Sequence, residues 1–431
     1  MNSPHHTTPP RFDTPIIGQS VLIQLHYTYY QLLLINPSVY SATASSPQAI
    51  SFHKFPPEHL KDRLIPNDIL VGPTKHHIMA ATVTLPDEEL KEIYAFALDL
   101  GRKAGKILME GVEKRCEGDN GGKEEEKMNA VDIVTQTDLD VEAFVKHEIL
   151  SKYPSHKFIG EETYSSGSSK QYLVDSSPTW IVDPLDGTVN YTHLFPMFCI
   201  SIAFCLNGIP IIGVIYAPVL DVSYSALVGH GAWENDHLGV GNGVASGGGS
   251  SASGILKRKR QLPYVKGKPL GKEAPKGCTF SCEWGKDRRD IEGGNLRKKI
   301  DSFVNLASEI GGRGGKGGMV HGVRSLGSAT MDLAYTATGA FDIWWEGGCW
   351  EWDVAAGICI LREAGGLITT ANPPSNPETD PIEEVKLGSR LYLAIRPAGA
   401  TATETGRQQQ ERVVREVWKR VEALDYTRPG A

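Results

Sequence analysis

No stretch of the chain is apolar for long enough to cross a bilayer. The longest such run near the start, residues 21–35, is broken by Gln24, His26 and Gln31 and falls short of the roughly 20 residues a spanning helix needs. It has no basic region before it and no small-residue cleavage site closely after it, so it does not fit a secretory signal. Positive charge is not in excess. A net charge of -7 gives no global attraction to nucleic acid or to an anionic membrane. Cysteine is sparse and scattered, seven in 431 residues. Cys278 and Cys282 lie four apart with no matching His or Cys pair downstream, which argues against a zinc site. All seven are expected to be free thiols in a reducing compartment, the cytoplasm, with Cys199, Cys205 and Cys359 in apolar core segments. Internal repeats are absent from the sequence. Charge is scarce in residues 1–83, where Pro, Ser, Thr and His dominate without a helical or strand period. This composition predicts a disordered extension. Arg11 and Lys54 alone supply strong positive charge before residue 60, too few for a transit peptide.

What remains has the composition of a globular protein, 40% apolar and 22% charged. A globular part is expected over residues 84–424. Pro86 with Asp87, Glu88 and Glu89 starts a helix, since acids favour the positive end of its dipole. Ile93, Ala97, Leu100, Ala104 and Leu108 form its apolar stripe, and Gly111 is its expected stop. Val131, Ile133 and Val134 suggest a short strand, and Thr137 or Asp138 caps a second helix running to Lys152. Residues 157–160 form a strand that delivers Glu161 and Glu162 at its end. Two runs rich in β-branched residues, 198–206 and 209–216, flank Asn207-Gly208 and predict a hairpin. Residues 222–227 continue the sheet. The Gly/Ser-rich and then basic stretch 241–276 reads as an inserted, solvated loop, and 311–318 as a second, flexible glycine loop. A helix over 328–338, a strand over 341–346, a helix over 354–363, strands at 367–370 and 391–395, and a helix over 404–424 complete the chain. Residues 425–431 read as a tail.

The chemistry concentrates in Trp180 to His193, Trp-Ile-Val-Asp-Pro-Leu-Asp-Gly-Thr-Val-Asn-Tyr-Thr-His. An apolar strand opens it and is expected to end at Pro184, which cannot donate to a sheet ladder. Asp183 and Asp186 then sit within one turn. Two carboxylates pinned there repel each other unless a cation lies between them, and Mg²⁺ is the usual choice where a phosphate shares the coordination. Taken alone, the stretch also suits an acidic turn that caps a helix. Further acids share its context: Asp138 and Asp353 at helix starts, Glu161 and Glu162 at a strand end. Such positions can converge on one rim of a layered αβ fold.

The set resembles the inositol monophosphatase family of Mg²⁺-dependent, lithium-sensitive phosphatases. The matching pieces, in order, are Val131 to Asp138, Ile159 to Thr163, Trp180 to His193, Gly327-Ser328-Ala329, and Trp352-Asp353-Val354-Ala355-Ala356-Gly357 leading to Glu363-Ala364-Gly365-Gly366. The resemblance covers residues 85–424. It implies an α+β fold, a layered αβαβα sandwich of the inositol monophosphatase and fructose-1,6-bisphosphatase type, in an enzyme that is often a homodimer. By the same resemblance, Glu161, Asp183 and the Leu185 carbonyl hold one Mg²⁺; Asp183, Asp186 and Asp353 hold a second; a third, weaker ion leans on Glu161 through water. Thr188 and Asp138 form a catalytic dyad that orients the attacking water. The Gly187 and Thr188 amides face the phosphate, beside Asp186 and Asp353. Ala329 and Glu346 touch the alcohol half of the substrate. Lys127 falls where the family carries a lysine supporting a loop near the metals; it equally suits a solvated lysine after an acidic run.

The expected activity is hydrolysis of a small phosphate monoester, myo-inositol monophosphate, with no nucleic-acid or membrane partner. Two relatives in kind compete with it: a phosphatase-like protein of quinate utilisation, which the chain also resembles, and a nucleotide bisphosphatase. A silent scaffold that keeps the fold would be expected to lack a ligand or the Thr–Asp dyad, and here each is present. Trp350-Glu351 departs from the family's His-Cys pair ahead of Trp352-Asp353, which puts the substrate rim in question.

Overall fold

The computed structural model describes residues 85–118, 125–130, 132–167, 171–235 and 259–428. The expected extension 1–83, Val131, the Gly/Ser-rich half of the stretch 241–276, and residues 429–431 lie outside the described residues.

Five layers build the described fold. A seven-stranded sheet runs β3 (Lys157–Gly160), β4 (Thr179–Asp186), β5 (Cys199–Leu206), β6 (Ile209–Ala217), β7 (Val222–Leu227), β8 (Ala232–Glu234) and β9 (Arg260–Gln261), in sequence order. Its strands pair antiparallel except β3 with β4, which are parallel. Side chains alternate between its faces. Trp180, Val182, Ile200, Ile202 and Val214 face helices α1 (Asp87–Cys116) and α2 (Gln136–Lys152). Ile181, Cys199, Ala203 and Ile215 face the opposite layer, α6 (Ala329–Thr338) and α7 (Glu351–Glu363). That middle layer lies in turn on a five-stranded sheet, ordered β11 (Gly322–Arg324), β10 (Thr279–Ser281), β12 (Ile343–Gly347), β14 (Leu391–Ile395), β13 (Leu367–Thr369). Trp344, Tyr392 and Ala394 face the middle helices; Ile343, Trp345, Leu393 and Ile395 face α5 (Asn295–Ala307) and α8 (Gly406–Trp418). The layering is the αβαβα sandwich expected. A two-stranded hairpin, β1 (Glu125–Asn129) and β2 (Asp132–Val134), stands apart from both sheets.

Several expectations are corrected. Helix α1 does not stop at Gly111 but runs to Cys116. The glycine is there for room: a Cβ would lie 2.1 Å from the Tyr191 hydroxyl. Strand β4 does not end at Pro184. It continues to Asp186 through a register shift between Asp183 and Asp186, where the proline's missing donor costs the ladder nothing. From residue 259 the supposed inserted loop belongs to the fold: β9 closes the sheet edge, and Leu262, Leu270 and Ala274 are buried. The glycine loop 311–318 is a fixed turn. Arg313 pairs with Asp301 at 2.6 Å, Lys316 with Glu422 at 2.6 Å, and a Cβ on Gly317 would meet the Glu309 carbonyl. Residues 425–428 are docked, not a free tail. The Arg428 guanidinium pairs with Glu351, both side chains fully buried, which gives the departing Glu351 its partner. The seven cysteines are unpaired thiols, five of them buried. No described helix is long and apolar enough to cross a membrane.

Candidate metal and catalytic site

The bulge in β4 sets the site. Asp183 is the last residue in regular register, and its carboxylate accepts the Leu185 amide at 3.0 Å. Gly187 then takes a left-handed backbone, φ +87°, and starts the short helix α4 (Thr188–Thr192). A side chain at Gly187 would be strained, and its Cβ would lie 2.8 Å from the Met197 carbonyl. The parallel neighbour β3 ends beside β4 and hands Glu161 to the same rim, at the start of helix α3 (Glu161–Ser165). Asp353 comes from the first turn of α7 in the middle layer. Carboxylate oxygens of Glu161, Asp183 and Asp353 lie within 4.8 Å of one another. This set of hard oxygen donors is what a divalent cation such as Mg²⁺ takes.

Asp186 is buried beside them, fixed by the Ser328 hydroxyl and by the Thr330 amide at 3.2 Å. The Leu185 carbonyl accepts the Thr188 hydroxyl at 3.1 Å. That hydroxyl also lies 3.2 Å from Asp138 Oδ1, while Asp138 Oδ2 accepts the Thr135 amide at 2.9 Å and hydroxyl at 2.5 Å. Asp138 is thus locked by the capping turn of α2 and aimed at Thr188.

Burial raises the pKa of most of these acids, and only Glu161 has enough positive charge nearby to offset it. Desolvation, and then the charges of Glu161, Asp186 and Asp353, push Asp183 well above the usual carboxylate range. Burial lifts Asp186 to about 7, against hydrogen bonds from Ser328 and Thr330. Burial and Glu161 lift Asp353 to about 8. Burial lifts Asp138 to about 6, against the Thr135 hydrogen bond. Burial would raise Glu161 too, but Lys127 and Lys286 outweigh it and hold it low. Lys127 lies 3.0 Å from Glu161 and 2.8 Å from Glu162, so the solvated reading of that lysine is corrected. Burial and the neighbouring Glu161 charge lift Glu162 to about 8. A cluster of buried acids held partly protonated is chemistry that a bound cation relieves.

Glu161, Asp183, Leu185, Asp186, Asp353, Thr188 and Asp138 therefore come together. Gly187 turns the chain at their edge, and Ala329, buried, opens α6 next to Ser328. Glu346 does not join the open rim. It is buried on β12, where its carboxylate is engaged by Lys299 and by the amides of Glu283 and Gly347, both at 2.8 Å. Both Glu346 oxygens serve interior donors, so the side chain expected to contact substrate is held on the interior side of the rim. Three site residues were not assigned a role from the sequence. Ser328 and Thr135 lie inside the matching motif pieces without a stated function. Thr135, not the expected Thr137 or Asp138, is the cap of α2. Lys286, 2.6 Å from Asp132, follows β10, which has no clear strand pattern.

Comparison with known proteins adds the following. A profile described as the inositol monophosphatase family matches residues 89–422. The chain is 60% identical over 354 residues to quinic acid degradation cluster protein x of Neurospora crassa, covering 80% of this chain and 97% of that one. It is 38% identical over 340 residues to inositol monophosphatase 2 of Saccharomyces cerevisiae, covering 79% and 98%. The solved structure of inositol monophosphatase from Anabaena shares the fold, with a TM-score of 0.51 at 24% identity, over 78% of this chain and 98% of that one.

Proposed function

The chain belongs to the inositol monophosphatase family, and from that premise we propose that it is a Mg²⁺-dependent phosphomonoesterase whose substrate is myo-inositol monophosphate. The observation that carries this is the convergence of Glu161, Asp183 and Asp353 oxygens within 4.8 Å, beside the Thr188–Asp138 pair. Glu161, Asp183, the Leu185 carbonyl, Asp186 and Asp353 would hold the cations. Bound divalent ions clamp a phosphate monoester, activate a water and stabilise the leaving alkoxide.

The chain's own residues supply orientation and proton handling. The Thr188 hydroxyl has one proton and two acceptors in reach, the Leu185 carbonyl and Asp138 Oδ1. With that proton directed to Asp138, the Thr188 oxygen is free to accept from a water and aim it. Thr135 keeps Asp138 from rotating away. Amides at the start of α4 lack intrahelical partners and suit phosphate oxygens.

A second reading changes the alcohol half of the substrate. The 60% relative is named for quinic acid degradation, and Glu346 is engaged in the interior. The relative's name makes a phosphate ester of a polyhydroxy acid the alternative substrate to that of inositol. The test is phosphate release by the purified protein from inositol 1-phosphate, fructose 1,6-bisphosphate, adenosine 3',5'-bisphosphate and a quinate phosphate ester, with and without Mg²⁺ and with added Li⁺. Mg²⁺-dependent, Li⁺-inhibited preference for inositol 1-phosphate supports the first reading. Preference for the quinate ester supports the second. Turnover of none, with cation binding intact, supports a silent scaffold. The homodimer expected from the resemblance is checked on the same sample by light scattering.

A further inference from the structure

Lys299 is a fully buried cation on α5, outside the site described above. Its ammonium pairs with Glu346 and donates to the Glu283 carbonyl at 2.9 Å. The other Glu346 oxygen accepts the Glu283 amide at 2.8 Å. Glu283 is therefore gripped at its amide and its carbonyl. Its own carboxylate reaches forward to the turn before α6. One oxygen accepts the amides of Leu326 at 2.6 Å and Gly327 at 2.9 Å; the other accepts the Ser325 hydroxyl at 2.7 Å. The far side of that turn is held by Asn190, whose amide donates to the Leu326 carbonyl at 2.7 Å and the Met197 carbonyl at 2.6 Å. Gly327 bends it with φ +72°, and a Cβ there would lie 2.9 Å from Asn190. The next residue, Ser328, donates its hydroxyl to Asp186.

We propose that Lys299 is a positioning residue for the metal site: acting through Glu346 and Glu283, it fixes the 325–327 turn and with it the Ser328 hydroxyl that orients Asp186. The proposal rests on the metal-site reading given above. It assigns Glu346 a positioning role on the interior side of this chain of contacts. The physical reason is economy of buried charge. A buried carboxylate is tolerated when its donors are in place, and removing one of them leaves the rest of the network to shift.

The test uses full-length protein with Glu346→Gln, Lys299→Met and the neutral pair Lys299→Met/Glu346→Gln. The pair leaves no unmatched buried charge and carries the test if either single variant does not fold. Two readouts are taken on variants with native circular dichroism. The first is Mg²⁺ affinity by calorimetry, without substrate. Outer-shell partners of metal ligands typically contribute about 10- to 100-fold in metal affinity, and a loss of that order is expected here. The second is the kcat and KM split on inositol 1-phosphate and on p-nitrophenyl phosphate, which has no polyol. The expected result is a kcat loss of the same factor on both esters, with the pair no worse than the more affected single variant. A rise in KM confined to inositol 1-phosphate, with Mg²⁺ affinity unchanged, would show that Glu346 reads the polyol and overturns the proposal. Variants indistinguishable from wild type overturn it as well. A wild-type protein that neither binds Mg²⁺ nor releases phosphate overturns the phosphatase reading and this proposal with it.

Discussion

The Thr188 hydroxyl lies 3.2 Å from Asp138, a residue 50 positions earlier in the chain that is locked in place by Thr135. The two sit at the starts of different helices, α2 and α4, which pack into one core cluster on the same face of the seven-stranded sheet. Removing either group should disable the orientation of water while sparing substrate affinity. Thr188→Ala or Asp138→Asn is expected to lower kcat by about 10²- to 10⁴-fold, the usual worth of positioned acid–base groups. KM should change little. Steady-state kinetics with Mg²⁺ decides it, and wild-type kcat in either variant would remove the pair from the mechanism.

Asp186→Asn takes one negative charge from a buried cluster. Turnover should be lost with the fold intact. The melting temperature of the metal-free variant should equal or exceed that of wild type, since a repulsive buried charge has gone. Full activity with Mg²⁺ would contradict the metal-ligand role of Asp186.

Stability should depend on pH in a direction set by the raised carboxyl groups. Asp186 at about 7 and Asp353 at about 8 bind protons more tightly folded than unfolded, where the ordinary value is 3.8. Between those limits the folded state holds more protons, so stability falls as pH rises. Metal-free protein is expected to melt progressively lower from pH 5 to pH 8 on the order of these values. A cation needs the deprotonated acids, so stabilisation by Mg²⁺ should grow over the same window. Thermal melts with EDTA and with Mg²⁺ check both slopes; a metal-free protein that gains stability with pH would contradict the prediction.

Gly213 on β6 lies under α7, where a Cβ would come within 2.3 Å of the Ala356 carbonyl. Gly213→Ala must push the helix off the sheet. A loss of about 1–3 kcal/mol is expected, as for other overpacked cores, measured by urea denaturation. An unchanged midpoint would mean that the layer spacing yields at no cost.

The family match starts at residue 89 and the described fold at residue 85. Deleting residues 1–83 is therefore expected to leave turnover and melting temperature unchanged. An insoluble or inactive truncation would show that those residues contribute to folding or catalysis.

The parts legible in the sequence were those where local chemistry and final structure agree. Asn207-Gly208 marks the β5–β6 turn because its two residues adopt positive φ, +54° and +74°. Gly339 ends α6 because glycine readily takes the left-handed cap, φ +82°. Asp183, Asp186, Gly187 and Thr188 sit within six residues, so one turn of backbone brings their groups close before any packing occurs. Helix α5 shows the opposite case. It buries Asn295, Lys299, Ser302 and Asn305 and exposes Ile300 and Val304, 40% and 42% accessible. An apolar stripe would place this helix inside out. Its polar face is stable inside because distant groups meet it: Glu346 and the Glu283 carbonyl at Lys299, Asp425 at Asn295, the Arg420 carbonyl at Asn305.

By itself, the sequence determined the acid-rich turn, the helix starts and strand ends that carry Asp138, Glu161 and Asp353, and hence the class of chemistry, because these follow from spacing and local backbone preference. Tertiary structure alone decided which acids face the site and which face the interior. Glu346 and Asp353 are both acids on the middle-layer side, seven residues apart in sequence. One is drawn inward by a buried lysine 47 residues away, and the other joins the acidic cluster with Glu161 and Asp183. A carboxylate's role depends on the charge that meets it, and that partner comes from a part of the chain that only folding brings near.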